Sequence, residues 1–291
     1  MPSWATRLAS RRWQRWLIAI VLLLAVGGAS SYTAFVCSRT VEVSTAAGSA
    51  AAKPAFERLT TQLARRGTEV LLVLRDGELL YEWYAPKPRL LPAAEGRRSL
   101  ASMAKGVLGG LGLARLAQDG LIELDDPIGQ YVPEWRDDPE RRNLTLRQLA
   151  SHSAGLRSAR TKDDQDWARE YMGNHDRRVE LALETPVSDA PGRAVDYSNP
   201  SFTILGYALS RAAWESGQGD LREHLRREVM RPLGIPDGAW SMGYGKARPW
   251  DGVPVYDLAG GGQATGRALA VLGAMVTAGG RRDGANVLAR H

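Results

Sequence analysis

The sequence predicts an α+β fold. Two β-rich runs, 69–75 and 78–84, are joined at Asp76-Gly77, the dipeptide most typical of a tight β-hairpin turn. Most of the chain after them carries apolar residues at helical spacing, beginning with a long helix over 102–119. The 291 residues are 44% apolar, enough for a substantial core. Cys37 is the single cysteine, so the fold must be stable without an intramolecular disulfide.

The N-terminal residues predict a membrane segment. Residues 1–15 are basic and are expected to stay in the cytoplasm, and 16–36 run without a charge, which is just long enough to span a bilayer. This interpretation places the rest of the chain outside the cytoplasmic membrane, in the periplasm. A cleaved signal peptide is the alternative, because the apolar centre is short and small residues follow at 27–31. In that case the protein is secreted.

The net charge of +6 does not indicate a nucleic-acid partner. Five arginines lie in the first 40 residues, which hold no acid, so the rest of the chain is nearly neutral. It contains no basic groove with interleaved aromatic residues. The small residues within 37–55 predict a flexible linker, and 56–291 is expected to form the folded domain.

The remaining elements are predicted in order along that domain. Phe56, Leu59 and Leu63 recur at helical spacing up to Gly67 and predict a first helix. After the hairpin, three prolines in 86–92 indicate a loop. The helix over 102–119 stops at Gly120, and Thr145 is a plausible N-cap for a helix over 145–153. Charged residues dominate 157–178, which predicts a surface excursion. Further helices are predicted over 202–213, 221–230 and 267–278.

Ser102 and Lys105 are candidate catalytic residues. Three residues apart at the start of a helix, they project from the same face. One interpretation is an N-cap serine beside a solvated lysine. The other starts from the apolar flank of Met, Val and Leu, which would desolvate the lysine, lower its pKa and let it act as a base. The backbone N–H of Ser102 can then donate to an oxyanion, because it lies at a helix N-terminus.

Tyr197 and Asn199 form a second candidate pair. They follow a turn at Pro191-Gly192, which indicates an ordered loop. A tyrosine that only pins this loop is the structural alternative. As chemistry, a phenol beside a lysine can pass protons between a serine and a leaving group, and the amide can hold a substrate amide or carbonyl. No metal or other cofactor is predicted: the four histidines form no ligand cluster, and His152 is interpreted as a helix-end residue.

Several motifs carry a family resemblance. They are Ser102-Met103-Ala104-Lys105, the runs 119–127 and 145–156, Pro191-Gly192 with Tyr197-Ser198-Asn199, and Pro232-Leu233-Gly234-Ile235. Over about 55–290 the chain resembles the class C β-lactamase-related serine hydrolases, which include penicillin-binding DD-peptidases, esterases and 6-aminohexanoate-dimer hydrolases. The resemblance implies a β-lactamase/transpeptidase-like fold, in which a helical domain packs on an antiparallel sheet with flanking helices and the site lies between them.

The resemblance also implies roles. Ser102 would be the acylated nucleophile, Lys105 and Tyr197 the base pair, and Asn199 a ligand of a small-molecule or peptide substrate. The chain would be a serine hydrolase acting on an amide or ester, the alternative being a non-catalytic penicillin- or peptidoglycan-binding module or an inactive remnant. The family's third motif, Lys-Thr-Gly or an equivalent on a later strand, is not found before His291. We therefore expect a C-terminally truncated chain that lacks the strands of that region.

Overall fold

The computed structural model describes residues 39–86, 93–158, 162–282 and 284–288. The membrane segment predicted over 16–36 lies outside the described residues. Within those ranges no helix combines the length and the apolar character that crossing a bilayer requires.

The described chain is a mixture of helices and short antiparallel strands, as the predicted α+β fold requires. The α-helices are α1 (Ser49–Arg65), α2 (Leu111–Gln118), α3 (Leu146–Ala150), α4 (Lys162–Gly173), α5 (Arg178–Leu183), α6 (Asn199–Glu215), α7 (Leu221–Leu225) and α8 (Gly266–Thr277). Two π-helical segments, Lys105–Gly110 and Arg226–Met230, adjoin α2 and α7. The strands are β1 (Val70–Arg75), β2 (Glu78–Tyr84), β3 (Arg98–Ser99), β4 (Trp240–Ser241), β5 (Arg248–Trp250), β6 (Val253–Val255), β7 (Gln263–Ala264), β8 (Arg281–Arg282) and β9 (Ala285–Asn286).

The predicted hairpin is present as β1 and β2, paired antiparallel. Asp76 and Gly77 both have positive φ, 56° and 83°, as a two-residue type I′ turn requires. Helix α1 packs on β2, where the rings of Phe56 and Tyr81 stack 4.9 Å apart. Helix α8 packs on β1. The hairpin is thus held by helices from both ends of the described chain.

The linker predicted over 37–55 is wrong from Val41 onward. Val41 is 1% exposed. The backbone N–H of Ala46 donates to Leu79 O at 2.8 Å, and the N–H of Leu79 donates to Ser44 O at 2.7 Å. Helix α1 then begins at Ser49. The small side chains that suggested flexibility let this segment approach the edge of β2, whose backbone groups need partners.

Helix α6 is the centre of the fold. Its residues 200–213 are all buried, and the other helices that contact it include α2, α3, α5 and α7. A helix enclosed in this way has apolar residues around most of its circumference, which agrees with the apolar helix predicted here. Thr145 caps α3 as predicted, in a capping box with Gln148. Beside the helices, β3, β7 and β4 form a three-stranded antiparallel sheet in that spatial order.

Two segments differ from the sequence interpretation in ways that concern the site. The long helix predicted over 102–119 ends at Gly120 with φ 69°, as expected, but its residues Lys105–Gly110 are π-helical. Such segments often occur at functional sites. The charged stretch 157–178 is not only a surface excursion, because Tyr171 and Arg178 are buried in the helical core. Periodicity did not reveal them, because Tyr171 lies in a mostly polar segment and Arg178 is itself charged.

The close approach between α6 and the segment after β6 requires a glycine. A Cβ atom at position 206 would lie 2.3 Å from Tyr256 O. We expect Gly206→Ala to lower the free energy of unfolding by about 1–3 kcal/mol, as overpacking does. Gly273→Ala in α8 is the matched control, because a Cβ there meets nothing within 4 Å and the change can add up to about 1 kcal/mol through helix propensity. Urea denaturation of both variants measures the difference, and equal midpoints would contradict this account.

Candidate active site

Ser102 and Lys105 lie where the long helix begins, with Ser102 exposed and Lys105 buried to 5% exposure. The residue before the serine, Ala101, has a φ of 44°, which is unusual for alanine. The turn therefore holds the backbone before the serine in a constrained conformation at the N-terminus of the helix. The structure brings the two side chains together, with Lys105 Nζ 3.4 Å from Ser102 Oγ.

The ammonium of Lys105 is held by oxygens from three parts of the chain. Nζ donates to Ser102 Oγ, to Asn199 Oδ1 at 2.8 Å and to the main-chain oxygen of Ala259. An ammonium has three N–H donors, so these acceptors satisfy all of them. The ring of Tyr197 lies 4.8 Å from Nζ and adds a cation–π contact. Lys105 therefore ties the serine, the Tyr197–Asn199 segment and the loop at 259 into one site.

Tyr197 completes the contact with the serine. Its hydroxyl lies 2.7 Å from Ser102 Oγ, and its side chain is 51% exposed. Burial of the ring raises the pKa of Tyr197, but its close side-chain contacts with Lys105 and Ser102 and the positive charge of Lys105 lower the pKa by more, so the net pKa lies below the ordinary value. Tyr197 therefore loses its proton to form the phenolate more easily than a free tyrosine does.

Asn199 lies at the first turn of α6, directly after Ser198. The side chain of Ser198 caps the helix by accepting from the N–H of Ser201. Asn199 uses Oδ1 for Lys105, and its Nδ2 lies 3.5 Å from the sulfur of Met172. All the residues proposed from sequence are therefore close together: a hydroxyl, an ammonium, a phenol and an amide.

His152 was interpreted as a helix-end residue and is more than that. It follows α3 with a φ of 58°, and its ring centroid lies 4.6 Å from that of Tyr197. Nδ1 accepts from the backbone N–H of Ser198 at 3.2 Å. Burial, followed by the positive charge of Lys105, lowers the pKa of His152, so the neutral imidazole is favoured. No spacing in the sequence links position 152 to Tyr197.

A buried ion pair behind the site was also missed. Arg178, 2% exposed, donates to Asp257 Oδ2 at 2.9 Å and to Met172 O at 2.9 Å. The other carboxylate oxygen of Asp257 accepts from Ala259 N at 2.9 Å and from the hydroxyl of Thr203 at 2.7 Å. Because Ala259 O accepts from Lys105, this pair orients the main chain that holds the ammonium.

A cavity of about 510 Å³ opens in front of Ser102. Its wall on the sheet side includes Ser241 and the glycines 260–262. A Cβ at Gly261 would lie 2.5 Å from Gly243 O, and one at Gly262 would lie 2.9 Å from a side-chain carbon of Leu108. The glycines let this loop pack closely against its neighbours. In the part of the chain that the structure describes, no cluster of three His, Cys, Asp or Glu residues could hold a metal ion.

Comparison with known proteins gives consistent matches. The family model described as Beta-lactamase matches residues 55–290. A relative from Escherichia coli (strain K12) is 25% identical over 182 residues, 57% of this chain and 41% of that protein. Protein flp of Staphylococcus aureus (strain COL) is 23% identical over 169 residues, 56% of this chain and 32% of that protein. The chain thus spans less than half the length of either curated relative.

Solved structures of low sequence identity share the fold. An octameric penicillin-binding protein homologue from Pyrococcus abyssi has a TM-score of 0.59 at 18% identity, over 80% of this chain and 57% of that one. A penicillin-binding protein homologue from Caulobacter crescentus has a TM-score of 0.57 at 20% identity, over 86% of this chain and 75% of that one. These similarities show a shared fold.

The contribution of the buried ion pair to stability can be tested by replacing Arg178 and, as a control, its neighbour Arg177. Arg178→Met leaves the carboxylate of Asp257 without its buried partner, and we expect it to lower the free energy of unfolding by about 3–5 kcal/mol. Arg177→Met removes a solvated pair with Glu180 and should change stability little. Denaturant titration of both variants measures the difference. A comparable loss in the two would show that Arg178 is not structurally special.

Proposed function

The chain belongs to the β-lactamase family, and on that premise we propose that it is a serine hydrolase that forms an acyl-enzyme on Ser102 with an amide or ester of a small molecule or peptide. The family match confirms the predicted resemblance and the β-lactamase/transpeptidase-like fold. The observation that carries the proposal is the position of Ser102 Oγ, 2.7 Å from the Tyr197 hydroxyl and 3.4 Å from Lys105 Nζ.

Acylation begins with proton transfer from the serine. The Tyr197 phenolate, stabilised by the adjacent ammonium of Lys105, accepts the proton of Ser102 as Oγ attacks the substrate carbonyl carbon. The carbonyl π electrons move to oxygen and form an oxyanion. We assign the backbone N–H of Ser102 as one donor to it, because that group lies at the start of the helix.

The tetrahedral intermediate then collapses. The bond to the leaving amine or alcohol breaks, and that group takes the proton from Tyr197. In deacylation a water molecule gives one proton to Tyr197 and attacks the acyl carbon, and the departing Ser102 Oγ takes that proton from Tyr197, which regenerates the phenolate. One water is consumed and the enzyme returns to its initial state. The Nδ2 of Asn199 is proposed to donate to a substrate carbonyl, since Oδ1 is occupied by Lys105.

Replacing the nucleophile tests this mechanism. We expect Ser102→Ala to abolish covalent labelling of the chain by a fluorophosphonate or penicillin probe, because the oxygen that forms the bond is gone. Ser188→Ala is the matched control, since Ser188 is an exposed serine and its hydroxyl has no proposed role. Intact-protein mass spectrometry reads the added mass.

The outcomes separate an enzyme from a binding module. A mass increase in the wild-type chain and in Ser188→Ala, but not in Ser102→Ala, supports acyl transfer at Ser102. Labelling that persists in Ser102→Ala would contradict it. Saturable, reversible binding of a penicillin without any covalent mass would instead favour the non-catalytic alternative.

We also propose that 16–36 anchors the protein in the cytoplasmic membrane with the hydrolase domain outside the cytoplasm. The support is the uncharged run, the arginines before it and its length. Membranes washed with alkaline carbonate should retain the full chain, while a chain lacking 1–38 should be extracted. Release of the full chain at a size shortened by about the length of a signal peptide would favour the cleaved alternative.

A further inference from the structure

The ring of His152 packs against that of Tyr197, with their centroids 4.6 Å apart, and neither the motifs nor the comparisons assign His152 a role. We propose that His152 is a positioning residue, whose neutral imidazole and main-chain oxygen hold Tyr197 in reach of Ser102. The proposal rests on the proposed function, because it takes Tyr197 as the group that transfers the proton. His152 itself touches neither Ser102 nor the substrate in this account.

His152 accepts two hydrogen bonds from the backbone on either side of Tyr197. The main-chain oxygen of His152 accepts from the N–H of Asp196 at 2.8 Å. Its Nδ1 accepts from the N–H of Ser198 at 3.2 Å. The backbone on both sides of Tyr197 is therefore attached to one residue. This attachment limits the directions in which the phenol can point.

Ring contacts restrict the remaining freedom of the phenol. The His152 ring lies 4.6 Å from the Tyr197 ring at 35° and 4.9 Å from the Phe202 ring at 45°. The imidazole is thus packed between the first turns of α6 and the catalytic tyrosine. With backbone and ring both held, the Tyr197 hydroxyl remains 2.7 Å from Ser102 Oγ.

The backbone at His152 makes this double contact available. Its φ of 58° lies in the left-handed region, which non-glycine residues seldom occupy. The chain turns there after α3, so the carbonyl and the side chain of one residue reach the same segment. Asparagine tolerates this conformation better than alanine does, and its side-chain oxygen can accept as Nδ1 does. That difference supplies a conservative variant.

The role requires an unprotonated Nδ1. The charged groups that act on His152 are Lys105, which disfavours a proton, and Asp196, which favours one. The phenol ring of Tyr197 packs against the imidazole at a tilt of 35°, and the N–H of Ser198 points at Nδ1. A proton on Nδ1 would face that N–H and remove the acceptor. At acidic pH, protonation of Nδ1 therefore breaks one of the two hydrogen bonds that flank Tyr197.

A double-mutant cycle tests whether His152 acts through the tyrosine. We expect His152→Ala to lower kcat/KM on an activated ester by about 10²-fold, the effect of a misplaced group. Tyr197→Phe should lower it by about 10²–10⁴-fold. In the double variant the loss should equal that of Tyr197→Phe alone to within about 2-fold, because residues that act as a unit are not additive. His152→Asn should recover most of the activity.

Asp76→Ala is the control for backbone strain. Asp76 has a φ of 56° in the β1–β2 turn, so alanine imposes the same conformational cost away from the site. Its kcat/KM should match the wild type, even if its melting temperature falls as far as that of His152→Ala.

Below pH 6.5, kcat/KM of the wild type should fall more steeply than that of His152→Asn, whose amide does not titrate.

The proposal is overturned if the losses of His152→Ala and Tyr197→Phe multiply, if Asp76→Ala loses as much activity as His152→Ala, or if His152→Asn has the same acidic limb as the wild type. Turnover by Ser102→Ala would instead refute the proposed function. Those two failures are distinguishable, because a wild-type rate that depends on Ser102 can coexist with additive effects at position 152.

Discussion

The buried ammonium of Lys105 is the constraint on which the site depends. A cation removed from water is costly unless its donors find acceptors. Here the acceptors are a hydroxyl at the helix start, an amide at the first turn of α6 and a main-chain oxygen at Ala259. These groups come from distant parts of the sequence, so satisfying one ammonium requires three elements to meet. The same requirement brings the nucleophile and the phenol together.

A second charged group, the carboxylate of Asp257, fixes the relative positions of these elements. Asp257 accepts from the backbone N–H of Ala259, and Arg178 neutralises it while also binding the main chain at the end of α4. Thr203 adds a bond from α6 to the same carboxylate. The ion pair therefore connects the loop, α4, α5 and α6 at one point. Gly206 lets α6 approach the segment just before that point, so the packing of the core and the geometry of the site are not independent.

The proposed chemistry follows from this arrangement without a large change of structure. The positive charge of Lys105 lowers the pKa of Tyr197, which makes a phenolate available beside a serine. Neutral His152 can support that phenol without adding a second positive charge near Lys105. One tyrosine can then take a proton from the nucleophile and return it to the leaving group, because its hydroxyl lies 2.7 Å from Ser102 Oγ.

The sequence by itself determined the local features: the hairpin at Asp76-Gly77, the helix ends, and the one-turn spacing that places Ser102 and Lys105 on one face. It also proposed Tyr197 and Asn199 as a second pair, which the family resemblance placed in one site with Ser102 and Lys105. The hairpin and the helix ends were predictable because turn chemistry and helical periodicity act within a few residues. The tertiary structure decided that residues 41–48 adopt an ordered conformation, and it decided which partners the buried groups have. The bonds between 152 and 198, 178 and 257, and 105 and 199 span 46, 79 and 94 residues. No local pattern encodes which distant atom will satisfy a buried charge, because that depends on how the helices pack around α6.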